Sequence, residues 1–377
     1  MKIGIVCYPT FGGSGVVATE LGHALANRDH EIHFITYKQP VRLNTLHAHV
    51  NFHEVNVPDY PLFQYQPYAL ALSSKLVKVV KEQKLELLHV HYAIPHAYAA
   101  YMAQKMLQDQ GLYIPFVTTL HGTDITLVGS HPFYKDAVAF SINHSNVVTS
   151  VSKSLKRDTL RLFDIKKEIK VIYNFIDSAF YINRNVPCER DRIAQKGEKI
   201  ITHISNFRPP KRVMDVIRCF ELIQKKCPSK LMMIGDGVDR ARAQAYCKEK
   251  GFDEKVHFLG KTHEIDRVLC FSDLFLLPSE QESFGLAALE AMIHKVPVIS
   301  SNAGGLSEVN IEGVSGYLLE VGDYEGMARK ALSILNDSSV LASFKEKAFH
   351  QARKFDIKAI VAQYEAVYQA AILSQIY

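Results

Sequence analysis

The most constraining feature of this sequence is an alternation of short apolar strands and amphipathic helices that begins at the first residues. A strand at 2–7 is followed by a glycine-rich turn, a helical pattern over 16–28 and a second strand at 31–36. Continuous apolar runs of this length are typical of parallel strands that are buried on both faces. The pattern therefore predicts an α/β fold in which helices join the strands of a parallel sheet.

The alternation starts again in the middle of the chain. A polar stretch around 183–197 has the composition of a linker or surface loop, and a strand predicted at 199–204 opens the second series. The chain has 377 residues, more than the roughly 250–300 at which a single core stops growing. We therefore predict two Rossmann-like, doubly wound domains that face each other across a cleft, with ligands beyond the carboxyl ends of the strands.

The predicted domain limits follow from these two series. The first domain is expected over 1–180 and the second over 181–356. A long amphipathic helix at about 357–377 has no strand to follow, and we expect it to cross back to the first domain.

Composition excludes several classes of protein. The net charge is only +5 and the basic residues are scattered, so nucleic-acid binding is not expected. The six cysteines form no C-x-x-C pair and are typical of buried thiols in a reduced protein. No signal-peptide pattern opens the sequence, and no apolar run reaches the roughly 18–20 residues that span a bilayer. We expect a cytoplasmic protein without stable membrane insertion, and a homo-oligomer is left open.

The strongest chemical signal is the segment 279–292, in which Glu282 and Glu290 flank a predicted helix start at 283–285. A helix N-terminus presents unpaired N–H groups that suit a diphosphate, and Gly285 lets the backbone approach a ligand closely. The alternative interpretation of such a pair is two solvated or helix-capping glutamates.

This segment resembles the E-x(7)-E motif of the retaining, GT-B-fold glycosyltransferases of family four, the glycogen-synthase and sucrose-synthase type. The resemblance covers nearly the whole chain, because further motifs of that family follow in the same order on matching strand–loop–helix contexts. These motifs are Phe11–Gly15, His121–Asp124, Val171–Asp177, Ile234–Gly237 and Ala303–Glu308.

By that resemblance Glu290 holds the ribose hydroxyls of the nucleotide, and Glu282 meets hydroxyls of the transferred sugar. The chemistry agrees, since carboxylate oxygens accept hydrogen bonds from vicinal diols. The implied donor-binding residues are Gly13, Ser14, Gly15, Ser205, Asn206, Lys211, Ser283, Phe284, Gly285, Leu286 and Glu290.

The loop 205–212 follows the first strand of the second domain and carries three cations. We interpret it as a diphosphate clamp that stabilises the departing UDP, and a solvated basic turn is the alternative. The family has an arginine five positions before the lysine that corresponds to Lys211. Asn206 stands at that position here, and Arg208 is expected to supply the guanidinium instead.

His121 follows the predicted strand 116–120, in a His-Gly-x-Asp context that the family places beside the donor sugar. A lone histidine is more often structural, but here we predict a positioning residue, with Asp124 orienting it or capping the next segment. The predicted catalytic residues are His121, Glu282, Lys211 and Arg208.

The glycine-rich turn 12–15 lacks the lysine of a P-loop and does not fit G-x-G-x-x-G. Tyr37 and Lys38 stand where a dinucleotide site would need an acidic residue, which argues against NAD. In the family this turn touches the acceptor and the leaving diphosphate.

Within the family, the sequence resembles one particular type of member through Gly12–Glu20, His89–His96, Leu120–Asp124 and Asn206–Arg212. This closer resemblance implies that UDP-N-acetylglucosamine is the donor and the hydroxyl of L-malate the acceptor, with retained α configuration, in the first step of bacillithiol biosynthesis. A dicarboxylate needs converging N–H groups, hydroxyls or cations. The candidates are Ser14, Gly15, Tyr92 and Thr123, with Lys38 or Arg42 as basic partners. The alternatives are a family-four enzyme with another sugar or lipid acceptor, a UDP-sugar epimerase, and a nucleotide-binding module without activity.

We expect no metal and no other cofactor. A D-x-D motif is missing from the suitable loops, and cations occupy positions where a metal would neutralise phosphate. His89 and His91 alternate along a predicted strand, and we expect their side chains on opposite faces, which disfavours joint metal ligation.

Overall fold

The computed structural model describes residues 1–374 except 11, 60, 62, 184–187 and 263; the side chains of 182 and 183 are likewise left undescribed. The chain divides into two compact units, Met1–Phe175 with Ile357–Tyr377, and Ile176–Asp356. The division thus falls at 175/176, a few residues before the predicted limit at 180/181. Phe11 of the first motif, residues 184–187 of the predicted linker and the end of the predicted terminal helix, 375–377, lie outside the described residues.

The first unit contains a seven-stranded sheet in the order β3-β2-β1-β4-β5-β6-β7, and all of its strand pairs are parallel. The strands are β1 Lys2–Val6, β2 Glu31–Thr36, β3 Val50–Glu54, β4 Leu87–His91, β5 Phe116–Leu120, β6 Val147–Ser150 and β7 Ile169–Val171. The chain order reverses between β1 and β4, and at such a switch point a crevice for ligands opens beyond the carboxyl ends of the strands.

Helices flank this sheet on its two faces. They are α1 Gly13–Ala26, α2 Tyr68–Gln83, α3 Tyr98–Gln108, α4 Pro132–His144 and α5 Lys153–Leu162, with α15 Ile357–Leu373 from the end of the chain. Val90 of β4 packs in one apolar cluster with Leu76 of α2 and Ala103 of α3. His89, the neighbouring residue in β4, instead contacts Tyr364 and Tyr368 of α15, as the alternation of side chains along a strand requires.

The second unit contains a six-stranded parallel sheet in the order β10-β9-β8-β11-β12-β13. The strands are β8 Lys199–Ile204, β9 Ser229–Ile234, β10 Val256–Gly260, β11 Leu274–Leu277, β12 Val298–Ser301 and β13 Gly316–Leu319. The order reverses between β8 and β11, so this sheet has its own switch point.

The helices of the second unit are α6 Ser178–Asn183, α7 Arg190–Ile193, α8 Val213–Gln224, α9 Arg240–Glu249, α10 Ile265–Leu269, α11 Leu286–Ile293, α12 Leu306–Val309, α13 Tyr324–Leu335 and α14 Ser338–Ala352. One apolar cluster of this unit joins strand residues Ile201 and Leu231 to Phe220 of α8 and Met327 of α13. Burial of such side chains stabilises the unit by about 1.5–3 kcal/mol each. Across the described parts of both units, no helix combines the length and apolar character needed to cross a membrane.

Candidate functional site

The loops that follow β8 and β9 pack backbone to backbone at the carboxyl edge of the second sheet. A Cβ added to Gly235 would lie 1.7 Å from the carbonyl oxygen of Ser205, and one on Gly237 would lie 2.2 Å from that of Asn206. Only glycine fits at such distances, and Gly235 also has a φ of +122° that side chains disfavour. The motif Ile234–Gly237 therefore shapes the loop that carries Ser205 and Asn206.

The loop after β12 supports Glu282 in the same way. A Cβ on Gly304 would lie 2.1 Å from the carbonyl oxygen of Glu282, and one on Gly305 would lie 2.4 Å from that of Ser283. The N–H of Gly305 donates to the Glu282 carbonyl at 2.8 Å. The Gly304–Gly305 pair of the motif Ala303–Glu308 thus fixes the backbone of the segment that leads into α11.

Lys211 and Glu282, two of the predicted catalytic residues, are brought together at this edge. Lys211 Nζ lies 2.5 Å from Glu282 Oε2, and the two side chains keep 22% and 17% of their surface exposed. A backbone hydrogen bond from Glu280 N–H to the Pro210 carbonyl, 2.7 Å, ties the two loops together. A cation and a carboxylate therefore lie side by side, and both remain within reach of a ligand.

The other two cations of the loop 205–212 differ in their partners. Arg212 is committed to Asp215, with Nε 2.5 Å from Oδ2. Arg208 is exposed, and among the residues that the structure describes it has no ion-pair partner. Of the three cations in this loop, Arg208 is therefore the one whose charge no described carboxylate neutralises.

Ser205 has its hydroxyl proton already engaged. His203 Nδ1 lies 2.8 Å from the carbonyl oxygen of Leu276, which can only accept, so Nδ1 carries a proton. Burial lowers the pKa of His203 to about 4, so the ring is neutral and its Nε2 accepts the Ser205 hydroxyl at 2.8 Å. Ser205 Oγ in turn accepts the N–H of Phe207 at 3.2 Å. If Ser205 binds the donor as predicted, its hydroxyl is therefore available only as a hydrogen-bond acceptor.

Helix α11 begins at Leu286, after the predicted opening at 283–285. Gly285 has a φ of +106° at the N-cap, and no side chain caps the first turn. The ring of Phe284 is buried and meets Phe355 edge-on, 5.5 Å between centroids, so only its backbone is suited to a ligand. Glu290 lies half-buried in α11, and its carbonyl accepts from His294 Nδ1 at 2.8 Å.

In the first unit, a buried carboxylate joins the loops that follow β4 and β5. Asp124 Oδ1 accepts the N–H groups of His121 at 3.2 Å and Gly122 at 2.9 Å, and Oδ2 accepts that of Ala93 at 2.9 Å. Burial raises the pKa of Asp124, and these backbone hydrogen bonds oppose the rise. Asp124 therefore fixes the position of His121 through the backbone and also holds the loop after β4.

The predicted acceptor residues Tyr92 and Ser14 meet, with the Tyr92 hydroxyl donating to Ser14 Oγ at 2.7 Å. Gly15 is required beside them, because a Cβ there would lie 2.6 Å from the Thr10 carbonyl oxygen. Gly13 and Thr123 are exposed at the starts of their helical segments.

The two basic candidates for the acceptor differ. Lys38 is exposed. Arg42 forms an ion pair with Glu20, with Nη1 2.6 Å from Oε1, so it is not a free partner for a dicarboxylate.

The expectation that His89 and His91 face opposite sides of the sheet is wrong. Residues two apart share a face of a strand, and the two rings lie 4.4 Å apart. His91 Nδ1 further lies 2.8 Å from His121 Nε2. Burial lowers the pKa of His121 to about 3, so the ring is neutral near pH 7 and is suited to hydrogen bonding. In the described ranges, no group of three or more His, Cys, Asp or Glu side chains is arranged to hold a metal ion.

Comparison with known proteins identifies the class of this chain. Residues 11–180 match the family model of glycosyltransferase family 4, and residues 189–351 match that of the glycosyl transferases group 1. Together with a relative that is 46% identical over 98% of the chain, these matches show that the chain belongs to this glycosyltransferase family and is a transferase. That relative is the N-acetyl-alpha-D-glucosaminyl L-malate synthase of Bacillus anthracis, of which 96% is covered.

Solved structures share the fold. Anabaena HepE in complex with UDP-glucose superposes with a TM-score of 0.80 at 21% identity, covering 98% of this chain and 100% of that one. Sucrose-phosphate synthase from Thermosynechococcus elongatus gives a TM-score of 0.76 at 19% identity and covers 99% of both chains. The predicted GT-B class of two Rossmann-like α/β domains is thereby confirmed.

Proposed function

We propose that this transferase moves N-acetylglucosamine from UDP-N-acetylglucosamine to the hydroxyl of L-malate, with retention of configuration and without a metal. The observation that carries the proposal is the 46% identity, over almost the full length of both chains, to a synthase whose name states that product. By the same likeness the reaction would be the first step of bacillithiol biosynthesis, in the cytoplasm.

The second unit would hold the donor. Lys211 is paired with Glu282, in the segment that leads into the uncapped start of α11, and Arg208 lies exposed in the same loop as Lys211. Positive charge and free helix N–H groups together suit a diphosphate. Glu282 would accept hydrogen bonds from hydroxyls of the sugar, and Glu290 from the ribose. Ser283, Gly285 and Leu286 would contribute backbone groups rather than side chains.

The first unit would hold the acceptor. Ser14, Gly15, Tyr92 and Thr123 lie at the carboxyl ends of β1, β4 and β5, next to the switch point of the sheet. Helix α1 has no side-chain cap at its N-terminus, so its first N–H groups are suited to a carboxylate. Lys38 is the basic candidate that remains exposed.

In the reaction the bond from the anomeric carbon to the phosphate oxygen breaks and a bond to the malate hydroxyl oxygen forms on the same face. Lys211 and Arg208 would stabilise the charge that develops on UDP. The proton of the malate hydroxyl would pass to the departing phosphate oxygen. His121 is neutral and would position the sugar by hydrogen bonding.

The test is UDP release from UDP-N-acetylglucosamine with a panel of acceptors: L-malate, D-malate, inositol phosphate and simple sugars. We expect L-malate to be strongly preferred, with an α-linked product by NMR. Preference for a sugar would overturn the malate assignment and leave the transferase class intact. For the donor site, Glu290→Ala should weaken UDP binding measured by calorimetry; unchanged affinity would remove Glu290 from the ribose site.

A further inference from the structure

The hydrogen bond between the two histidines at the carboxyl ends of β4 and β5 contains a single proton. His91 Nδ1 and His121 Nε2 are 2.8 Å apart, and their rings stack with centroids 5.0 Å apart. Burial lowers the pKa of both rings far below neutrality, so each ring carries one proton. One nitrogen of the contact is therefore the donor and the other the acceptor, which leaves two arrangements.

The far nitrogen of His91 distinguishes the two arrangements. His91 Nε2 is fully enclosed and has no hydrogen-bond partner among the described residues. If His121 were the donor, His91 would carry its proton on Nε2, and a buried N–H would be left unpaired. If His91 donates from Nδ1, only a lone pair is left. Orphaned buried N–H groups are the rarer and costlier defect, so His91 is the donor.

The nearby His96 shows that a buried histidine nitrogen in this cluster can be left as a lone pair without a hydrogen-bond partner. His96 Nδ1 lies 2.5 Å from the carbonyl oxygen of His91, and a carbonyl can only accept. The proton of His96 is therefore on Nδ1, because burial keeps this ring neutral by lowering its pKa to about 4. Its Nε2 is then a lone pair, and it is enclosed without a partner in the described chain. His91 with its proton on Nδ1 and a lone pair on Nε2 would therefore have the same protonation as its neighbour His96.

We propose that His91 is a positioning residue that fixes His121 as the Nδ1–H tautomer, so that His121 donates a hydrogen bond to an oxygen of the bound sugar donor. With Nε2 filled by the proton of His91, the proton of His121 can only reside on Nδ1. His121 as a whole residue keeps 8% of its surface exposed, whereas His91 is fully enclosed. The hydrogen bond from His121 Nδ1–H to the sugar rests on the function proposed above. The assignment of the His121 tautomer does not depend on that function.

The tautomer can be measured directly in the full chain labelled with ¹⁵N-histidine. Two-bond ¹H–¹⁵N correlation spectra distinguish Nδ1–H, Nε2–H and doubly protonated rings, and His121→Asn assigns the resonances of His121. We expect neutral Nδ1–H at pH 7 in the wild-type protein. His121 as Nε2–H or as a cation would overturn the proposal, and this result needs no variant of His91.

Two near-isosteric substitutions test the role of His91. The amide nitrogen of His91→Asn can replace the Nδ1–H donor, and His91→Leu cannot. We expect the Leu variant to shift His121 toward Nε2–H and to lower kcat/KM for UDP-N-acetylglucosamine about tenfold to hundredfold. The Asn variant should retain the wild-type tautomer and recover most of that loss.

Binding of UDP to each variant, followed by calorimetry, checks that the protein is folded. An unchanged His121 tautomer in the Leu variant would overturn the role of His91. If the tautomers behave as expected but the wild-type protein does not turn over UDP-N-acetylglucosamine, the proposed function fails and the tautomer assignment stands.

Discussion

Neutralising Glu282 should have opposite effects on nucleotide binding and on sugar transfer. Lys211 is paired with Glu282 at 2.5 Å, so a diphosphate has to compete with the carboxylate for this cation. Glu282→Gln removes the competing charge and leaves the shape of the side chain nearly unchanged. We therefore expect tighter binding of UDP together with slower transfer.

The magnitude follows from the exposure of the pair. Solvent-exposed ion pairs contribute about 0.2–1 kcal/mol, and hydrogen bonds to charged groups about 1.5–3 kcal/mol. With side chains 22% and 17% exposed, the pair lies between these cases, at about 1–2 kcal/mol. This range converts to UDP binding that is roughly 5- to 30-fold tighter. Loss of charged hydrogen bonds to the sugar should lower kcat/KM roughly 10- to 100-fold.

Calorimetry with UDP and a coupled assay of UDP release measure the two effects. The matched control is Glu280→Gln in the same loop, whose carboxylate is mostly exposed and 3.9 Å from Arg212; it should change neither quantity more than about twofold. Raising the ionic strength should reduce the gain in affinity, because salt screens the competing pair. Weaker UDP binding in Glu282→Gln would show that Lys211 keeps its carboxylate partner in the complex, and the reasoning would be refuted.

Three further predictions concern the supporting structure. Tyr368→Phe removes the 2.8 Å hydrogen bond to His89 Nδ1 at a fully buried position. The first unit should lose about 1–3 kcal/mol of stability, which hydrogen exchange of the β4 and β5 amides measures. Unchanged exchange rates would contradict this prediction. Gly304→Ala should lower kcat/KM at least about tenfold, because its Cβ would lie 2.1 Å from the Glu282 carbonyl oxygen. Gly313→Ala is the control: φ is likewise positive there, at +70°, but nothing lies near the added Cβ, so activity should be unchanged. Equal effects of the two substitutions would show that the close contact of Gly304 with Glu282 does not matter for activity. His89, His91, His96 and His121 have pKa values lowered by burial. The unfolded first unit therefore binds more protons below about pH 6.5, and its stability should fall by up to about 1.4 kcal/mol per histidine for each pH unit toward pH 4. Hydrogen exchange in the second unit should respond less, because burial lowers the pKa of fewer described histidines there, namely His203, His257 and His294.

The sequence predicted the parts of the fold that depend on local pattern. Strand β11, for example, is a continuous apolar run, because a parallel strand is covered on both faces, and the loop after it could be named as a candidate ligand site from the sequence. The strand β3, Val50–Glu54, was not among the predicted elements. It lies at the edge of its sheet and is mostly half-buried, so its sequence VNFHE lacks an apolar run.

The contacts between loops could not be predicted from the sequence. The meeting of Lys211 with Glu282 and of His91 with His121 depends on which strands are neighbours and in what register. The error about His89 and His91 was of another kind, because the period of two along a strand already places them on one face. Applied correctly, that rule would have placed the side chains of His89 and His91 next to each other on one face of β4.

Helix α15 gives the first unit an unusual order of assembly. Its residues Tyr364 and Tyr368 close over His89, yet the ribosome makes the whole of Ile176–Asp356 between β7 and this helix, which takes on the order of 10–40 s at typical rates of synthesis. During that interval the part of the nascent amino-terminal sheet around His89 lacks this helix, and a fragment ending at Phe175 would leave that part permanently uncovered. We therefore expect an isolated amino-terminal domain to be stable and soluble when the α15 segment is fused ahead of β1 through a flexible linker.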